Sequence, residues 1–196
     1  MSTRTALRLA AGLAAGLLLL GGGGCGRGPV PQGEVAAVYE AFLEATAQDY
    51  PGMVLLEDST IRLTAAAFAD PPPAPPQEIS RLWSPEVREA IADLVARSRT
   101  PVRLPPDVEV AIPQRRISPD SVRRVRERIR AEYLQRLPDR AVIVGLSAVG
   151  FSRDGGVAVV VRAEACGVLC GGSVAQAMRR HPDGWRPAEV LFSVVS

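Results

Sequence analysis

Ser147, His181, Cys166 and Cys170 are the first side chains to weigh for chemistry. Gly145-Leu146-Ser147-Ala148-Val149-Gly150 can be tested against the G-x-S-x-G nucleophile elbow. Its second glycine falls one residue late, and the surrounding run is β-rich, whereas the elbow needs a strand–turn–helix switch. His181 is the sole histidine, and no acid–base constellation accompanies it in sequence. Cys166 and Cys170 are spaced C-x-x-x-C between two β-rich runs. A thioredoxin-type pair is C-x-x-C at a helix N-terminus, where the attacking thiol's pKa is lowered. Two thiolates and one histidine do not complete a tetrahedral zinc site. Lysine is absent, so a P-loop lysine, a Schiff base and a Ser–Lys dyad are all excluded. The expectation is a non-catalytic protein with no metal and no cofactor. The alternatives are a serine hydrolase around Ser147 and His181, or a thiol oxidoreductase using Cys166 and Cys170.

The third cysteine carries a different chemistry. Met1 to Arg8 holds two positive charges and no acid, and Leu9 to Leu20 is apolar. That is a charged n-region followed by an h-region of signal-peptide length, too short to span a bilayer comfortably. Gly21-Gly22-Gly23-Gly24-Cys25 follows, small and extended enough for a peptidase to enter. A cysteine directly after small residues resembles the bacterial lipobox, in which the cysteine is lipidated and becomes residue one. Gly22 stands where that pattern prefers leucine. Residues 1–24 are therefore expected to be a signal peptide. Cys25 is the expected lipidation site, and 25–33 a short tether. Gly26 is not the aspartate of an inner-membrane retention signal, so the periplasmic face of the outer membrane is the expected location.

Cysteine arithmetic agrees with this. Three cysteines in an exported chain leave one over. Lipidation accounts for Cys25, and Cys166 and Cys170 are left to pair in an oxidising compartment. A bridge closing so short a loop contributes only about 2 kcal/mol by chain entropy, so it pins a turn.

Removing residues 1–24 from the 196 leaves 172, the size of one domain. It also removes Arg4 and Arg8, and the remaining 21 arginines balance 21 acids. A chain with near-zero net charge gives no footprint for nucleic acid. The expected partners are the membrane, through the lipid, and an envelope protein or ligand.

The elements that must position these residues follow from periodicity. Glu34 to Gln48 reads as a helix with Val35, Val38, Phe42 and Ala45 on one face. Residues 53–63 read as two short strands around a turn. The proline-rich stretch at 70–77 can be neither helix nor central strand and reads as a stiff spacer. Ser84-Pro85-Glu86 and Ser118-Pro119-Asp120 each place an N-cap, an N1 proline and an acid at a helix start. The second of these helices is expected to run through Tyr133 and stop at Pro138. Its arginines, Arg123 to Arg136, interleave with acids and read as a solvated face. Residues 100–117 read as extended or looped. Residues 141–151, 157–165, 173–181 and 185–195 read as strands, with Asp154-Gly155 and Asp183-Gly184 as hairpin turns. His181 and Trp185 flank the last turn, where an exposed tryptophan can anchor a partner. The expectation for 34–196 is a single α+β domain, with three helices on one face of a C-terminal four-stranded antiparallel meander.

The last quarter of the chain carries a recurrent pattern. Ser147-Ala148-Val149-Gly150-Phe151 is followed by Asp154, Ala158-Val159-Val160-Val161, Cys166-Gly167-Val168-Leu169-Cys170-Gly171, Gly184-Trp185 and Ser196. This resembles the C-terminal pattern of a group of uncharacterised exported bacterial proteins and lipoproteins. Gly172-Ser173-Val174-Ala175 lacks the aromatics that often follow the loop in such proteins. The resemblance implies export and architecture, and no reaction.

Overall fold

The computed structural model describes residues 32–50, 52–63, 83–108, 112–134 and 136–195. Segment 1–24, Cys25 with the tether as far as Pro31, and the proline-rich stretch at 70–77 lie outside the described residues.

Among the described residues the fold is α+β, with three α-helices and a mixed, largely antiparallel seven-stranded sheet. The helices are α1 (Gln32–Ala45), α2 (Pro85–Arg97) and α3 (Pro119–Ala131). The strands are β1 (Val54–Glu57), β2 (Gln114–Ile117), β3 (Val142–Leu146), β4 (Gly150–Phe151), β5 (Val157–Gly167), β6 (Cys170–His181) and β7 (Gly184–Val195). Their order is β2-β1-β3-β5-β6-β7, with β4 paired to β5.

β3, β5, β6 and β7 pair antiparallel in that order. The expected four-stranded meander is matched only in part, because its first strand at 141–151 is broken into β3 and β4. The meander is also not the whole sheet. β1 joins β3 in parallel, and β2 joins β1 in parallel at the edge. The segment before Ser118, expected to be extended or looped, ends in strand β2. The two strands expected at 53–63 are one strand, β1, followed by bridges at Ser59 and Ile61.

The helices lie on both faces rather than one. Alternate residues of a strand point to opposite sides. Ala158 and Val160 of β5 join Val54, Leu56, Val144 and Leu146 in a core with Val38, Tyr39, Phe42 and Leu43 of α1. Val157, Val159 and Val161 point the other way, onto Val87, Ala90 and Leu94 of α2. On that second side, Val122 and Ile129 of α3 cover Ile143. A valine-rich strand buried on both faces is what a sheet between two helical layers requires.

Both predicted N-caps form. Ser84 Oγ accepts from Val87 N at 3.3 Å, and Ser118 Oγ accepts from Ser121 N at 3.3 Å. The end of α3 departs from expectation. Tyr133 takes φ 48°, Leu134 N donates to Ile129 O at 3.1 Å, and Tyr133 N donates to Arg130 O at 3.4 Å. That is a Schellman closure with tyrosine in the position glycine usually fills. The helix thus stops at Ala131, ahead of Pro138, and Tyr133 is exposed.

Candidate functional site

The inward row of β5 changes character along its length. After Ala158 and Val160 it continues as Arg162, Glu164 and Cys166, still facing the α1 side. Arg162 is 6% exposed at its side chain. Its guanidinium lies over the rings of Tyr50 at 5.2 Å and Phe42 at 5.9 Å, within cation–π range. Arg162 Nε is 2.6 Å from Glu164 Oε1, an ion pair by distance whose angle is too bent for a hydrogen bond. Its second terminal nitrogen reaches Asp49 Oδ2 at 3.4 Å, and Nη1 has no hydrogen-bond partner among the described residues. Tyr50 OH donates to the same Glu164 oxygen at 2.9 Å. Burial pushes the Tyr50 phenol well above its ordinary value; Arg162 pulls it down, while Glu164 and Asp49 push it further up. Tyr50 is held as a neutral donor.

This cluster backs a cavity of about 390 Å³. Tyr50, Ala141 and Val142 give it an apolar wall, and Asp49 and Glu164 line the side next to Arg162. Cys166 and Cys170 form another side. They are joined as a disulfide across the two-residue turn between β5 and β6, with Cα atoms 5.2 Å apart. Arg136 and Arg140 complete the lining. Their segment is docked onto the disulfide hairpin: Leu137 N donates to Cys166 O at 2.6 Å, and Val168 N donates to Leu134 O at 3.0 Å. Arg140 sits at φ 54°, a conformation that costs a non-glycine residue on the order of 1 kcal/mol.

No protein-family model, curated protein or solved structure matches this chain.

Ser147 is fully buried, and its hydroxyl is committed to the backbone. Oγ donates to Ala148 O at 2.7 Å and accepts from Val161 N at 2.8 Å, while the Ser147 carbonyl accepts from Tyr39 OH at 2.7 Å. The serine thus spans the break between β3 and β4. His181 lies six residues beyond Ala175, the residue paired with Val161. At strand rise that is roughly 20 Å away. Ser147 and His181 do not form a nucleophile–base pair.

His181 is exposed at the β6–β7 turn, next to the Arg186–Asp183 ion pair. Trp185 is 8% exposed. Its ring meets Phe151 edge-on at 5.8 Å and lies under Arg180 at 5.6 Å. Nε1 donates to Glu34 Oε2 at 3.2 Å, and Arg180 pairs with Glu34. This tryptophan fastens the start of α1 to the sheet and leaves little surface for an anchor. Among the described residues there is no group of three or more potential metal ligands, and no helix is long and apolar enough to cross a membrane.

A second cavity, about 250 Å³, lies between the end of β1 and α3, lined by Glu57, Glu127, Arg123, Arg126 and Arg130 among others. Burial raises the Glu57 carboxyl above its ordinary value; Arg126 lowers it, Asp58 raises it and a hydrogen bond from Ser59 lowers it. The folded chain therefore binds this proton more tightly than the unfolded chain. The contribution of Glu57 is fully present below the ordinary carboxylate range and is lost as pH rises through the raised value. Glu57→Gln is expected to be more stable than the parent at pH 7, with the gap closing toward pH 4. Urea denaturation at the two pH values checks this, and a loss of stability at pH 7 would contradict it.

The sequence pointed to Cys166 and Cys170, and to Arg136 only as part of a solvated helix face that in fact ends at Ala131; it did not single out Arg140 or the Arg162–Glu164–Tyr50 cluster. The available signal was Arg162 itself, an arginine on the inward phase of a valine strand.

Proposed function

We propose that this chain is an exported, lipid-anchored and non-catalytic bacterial cell-envelope protein with a binding role, held at the periplasmic face of the outer membrane. The observation that carries the reading is the Cys166–Cys170 bridge. Such bridges persist in oxidising compartments. It accounts for two of the three cysteines, and the third is Cys25, behind a charged and apolar leader. The resemblance of the last quarter of the chain to exported proteins points the same way.

The geometry supports a binding role over catalysis, because the one serine of interest is consumed by backbone bonds while a cavity stands open beside the bridge. It also supports an orientation. α1 starts at the Trp185 end of the sheet, and the cavity is at the other end. Seven Cα steps separate Cys25 from Gln32, a reach of at most about 25 Å. The twelve residues of β6 span roughly 36 Å. A lipid on Cys25 would keep the start of α1, and the His181–Gly184 turn at that end of the sheet, within that reach of about 25 Å from the bilayer.

Cys25→Ser tests the anchor. The parent protein is expected in the membrane fraction, and the variant in the soluble envelope fraction or unprocessed. Membrane retention of a processed Cys25→Ser protein would refute the reading.

A further inference from the structure

We propose that the cavity beside the disulfide is a binding site for a small monocarboxylate with an apolar body. This deepens the binding role proposed above and rests on it.

Charge defines the headgroup. Asp49 and Glu164 are both engaged by Arg162, which leaves that trio one negative charge in excess. Arg136 and Arg140, both exposed, line the cavity and add two positive charges. Among the described residues the lining and Arg162 behind it sum to one positive charge, which a single carboxylate neutralises. Arginine's planar fork suits a carboxylate in two-point contact. Arg140 holds its place in a left-handed backbone conformation that almost any packing role could have avoided with glycine.

The wall defines the body. The Tyr50 ring, Ala141, Val142 and the disulfide offer apolar surface, and 390 Å³ is at the small end of ligand pockets. Tyr50 keeps its proton, so it meets the ligand as a neutral group and adds no repulsion. A lipid headgroup of the anchoring membrane is the less suitable occupant, because α1, to which Cys25 leads, starts at the end of the sheet opposite the cavity.

The test is calorimetric titration of the purified full-length protein with benzoate, with benzamide as the neutral isostere and with inorganic phosphate. Benzoate is expected to bind with a millimolar or tighter Kd, and at least tenfold more tightly than benzamide or phosphate. Arg140→Gly removes the guanidinium and relaxes the backbone. It is expected to keep or raise Tm while weakening benzoate at least fivefold, and Arg136→Ala/Arg140→Gly is expected to abolish binding. Absence of benzoate binding to the parent, equal binding of benzamide, tighter binding of phosphate, or unchanged affinity in the double variant would each overturn the proposal. The anchor is read from fractionation, so its failure and that of the site are separable.

Discussion

Gly150→Ala is expected to lower the unfolding free energy by about 3 kcal/mol, the upper end of what overpacking costs, or more. A Cβ at Gly150 would fall well inside contact distance of the Ala90 carbonyl oxygen and of the backbone nitrogen and Cβ of Leu94. Two of these atoms are helix backbone, so no rotamer change relieves the clash. The helix would have to lift off the sheet. That would also strain the bond from Phe151 N to Asp93 Oδ2, now 2.9 Å, and uncover Val87, Ala90 and Leu94. The glycine is required for space, since its φ is not positive. Gly145→Ala is the informative control. Its Cβ would meet Ile61 Cγ2 at 2.6 Å, the end of a half-buried side chain that can turn away. Urea denaturation of both variants should show a clearly larger loss at Gly150. A loss there below about 1 kcal/mol would mean that α2 does not rest on β4 as described.

Glu164→Ala is expected to cost about 3 kcal/mol, for an electrostatic reason. Removing one member of a buried ion pair strands the other, and such changes cost roughly 3–5 kcal/mol. Here the stranded group is Arg162, between the Phe42 and Tyr50 rings. The lower end of the range applies. Glu164 is 23% exposed, and Asp49 stays within 3.4 Å of the guanidinium. Tyr50 loses its acceptor as well. Arg162→Met/Glu164→Leu should recover most of the loss, because replacing a buried pair by apolar side chains is often neutral or stabilising. A double-mutant cycle on denaturation free energies measures this. A near-zero cost for Glu164→Ala would show that Arg162 is hydrated rather than paired.

Local chemistry was legible in the sequence. Ser84-Pro85 and Ser118-Pro119 fix their helix starts within four residues, and the structure caps both as expected. Asp154-Gly155 and Asp183-Gly184 made their turns for the same reason, with Gly155 at φ 72° and Gly184 at φ 127°. What depends on distant partners was not legible. Gln114-Arg115-Arg116-Ile117 has too little apolar alternation to announce a strand, and it becomes one only by pairing with β1, about sixty residues earlier. Tyr133 looked like the last turn of a helix because its phase matched Val122 and Ile129. The left-handed closure that ends α3 is coupled to the disulfide hairpin through Leu134. The cavity is the extreme case. Arg162 is buried by Phe42 and Tyr50, more than a hundred residues away in the chain, so burial and charge pairing there could not be read locally.

The proposed function is that of an exported domain with an oxidised cysteine pair, held by a lipid on Cys25. Intact-mass spectrometry of the mature protein from membranes, without reductant, tests it most directly. The expected result is an N-terminus at Cys25 carrying covalently attached acyl chains, with Cys166 and Cys170 together two hydrogens lighter than two thiols. An unmodified Cys25, or an N-terminus elsewhere, would contradict the account.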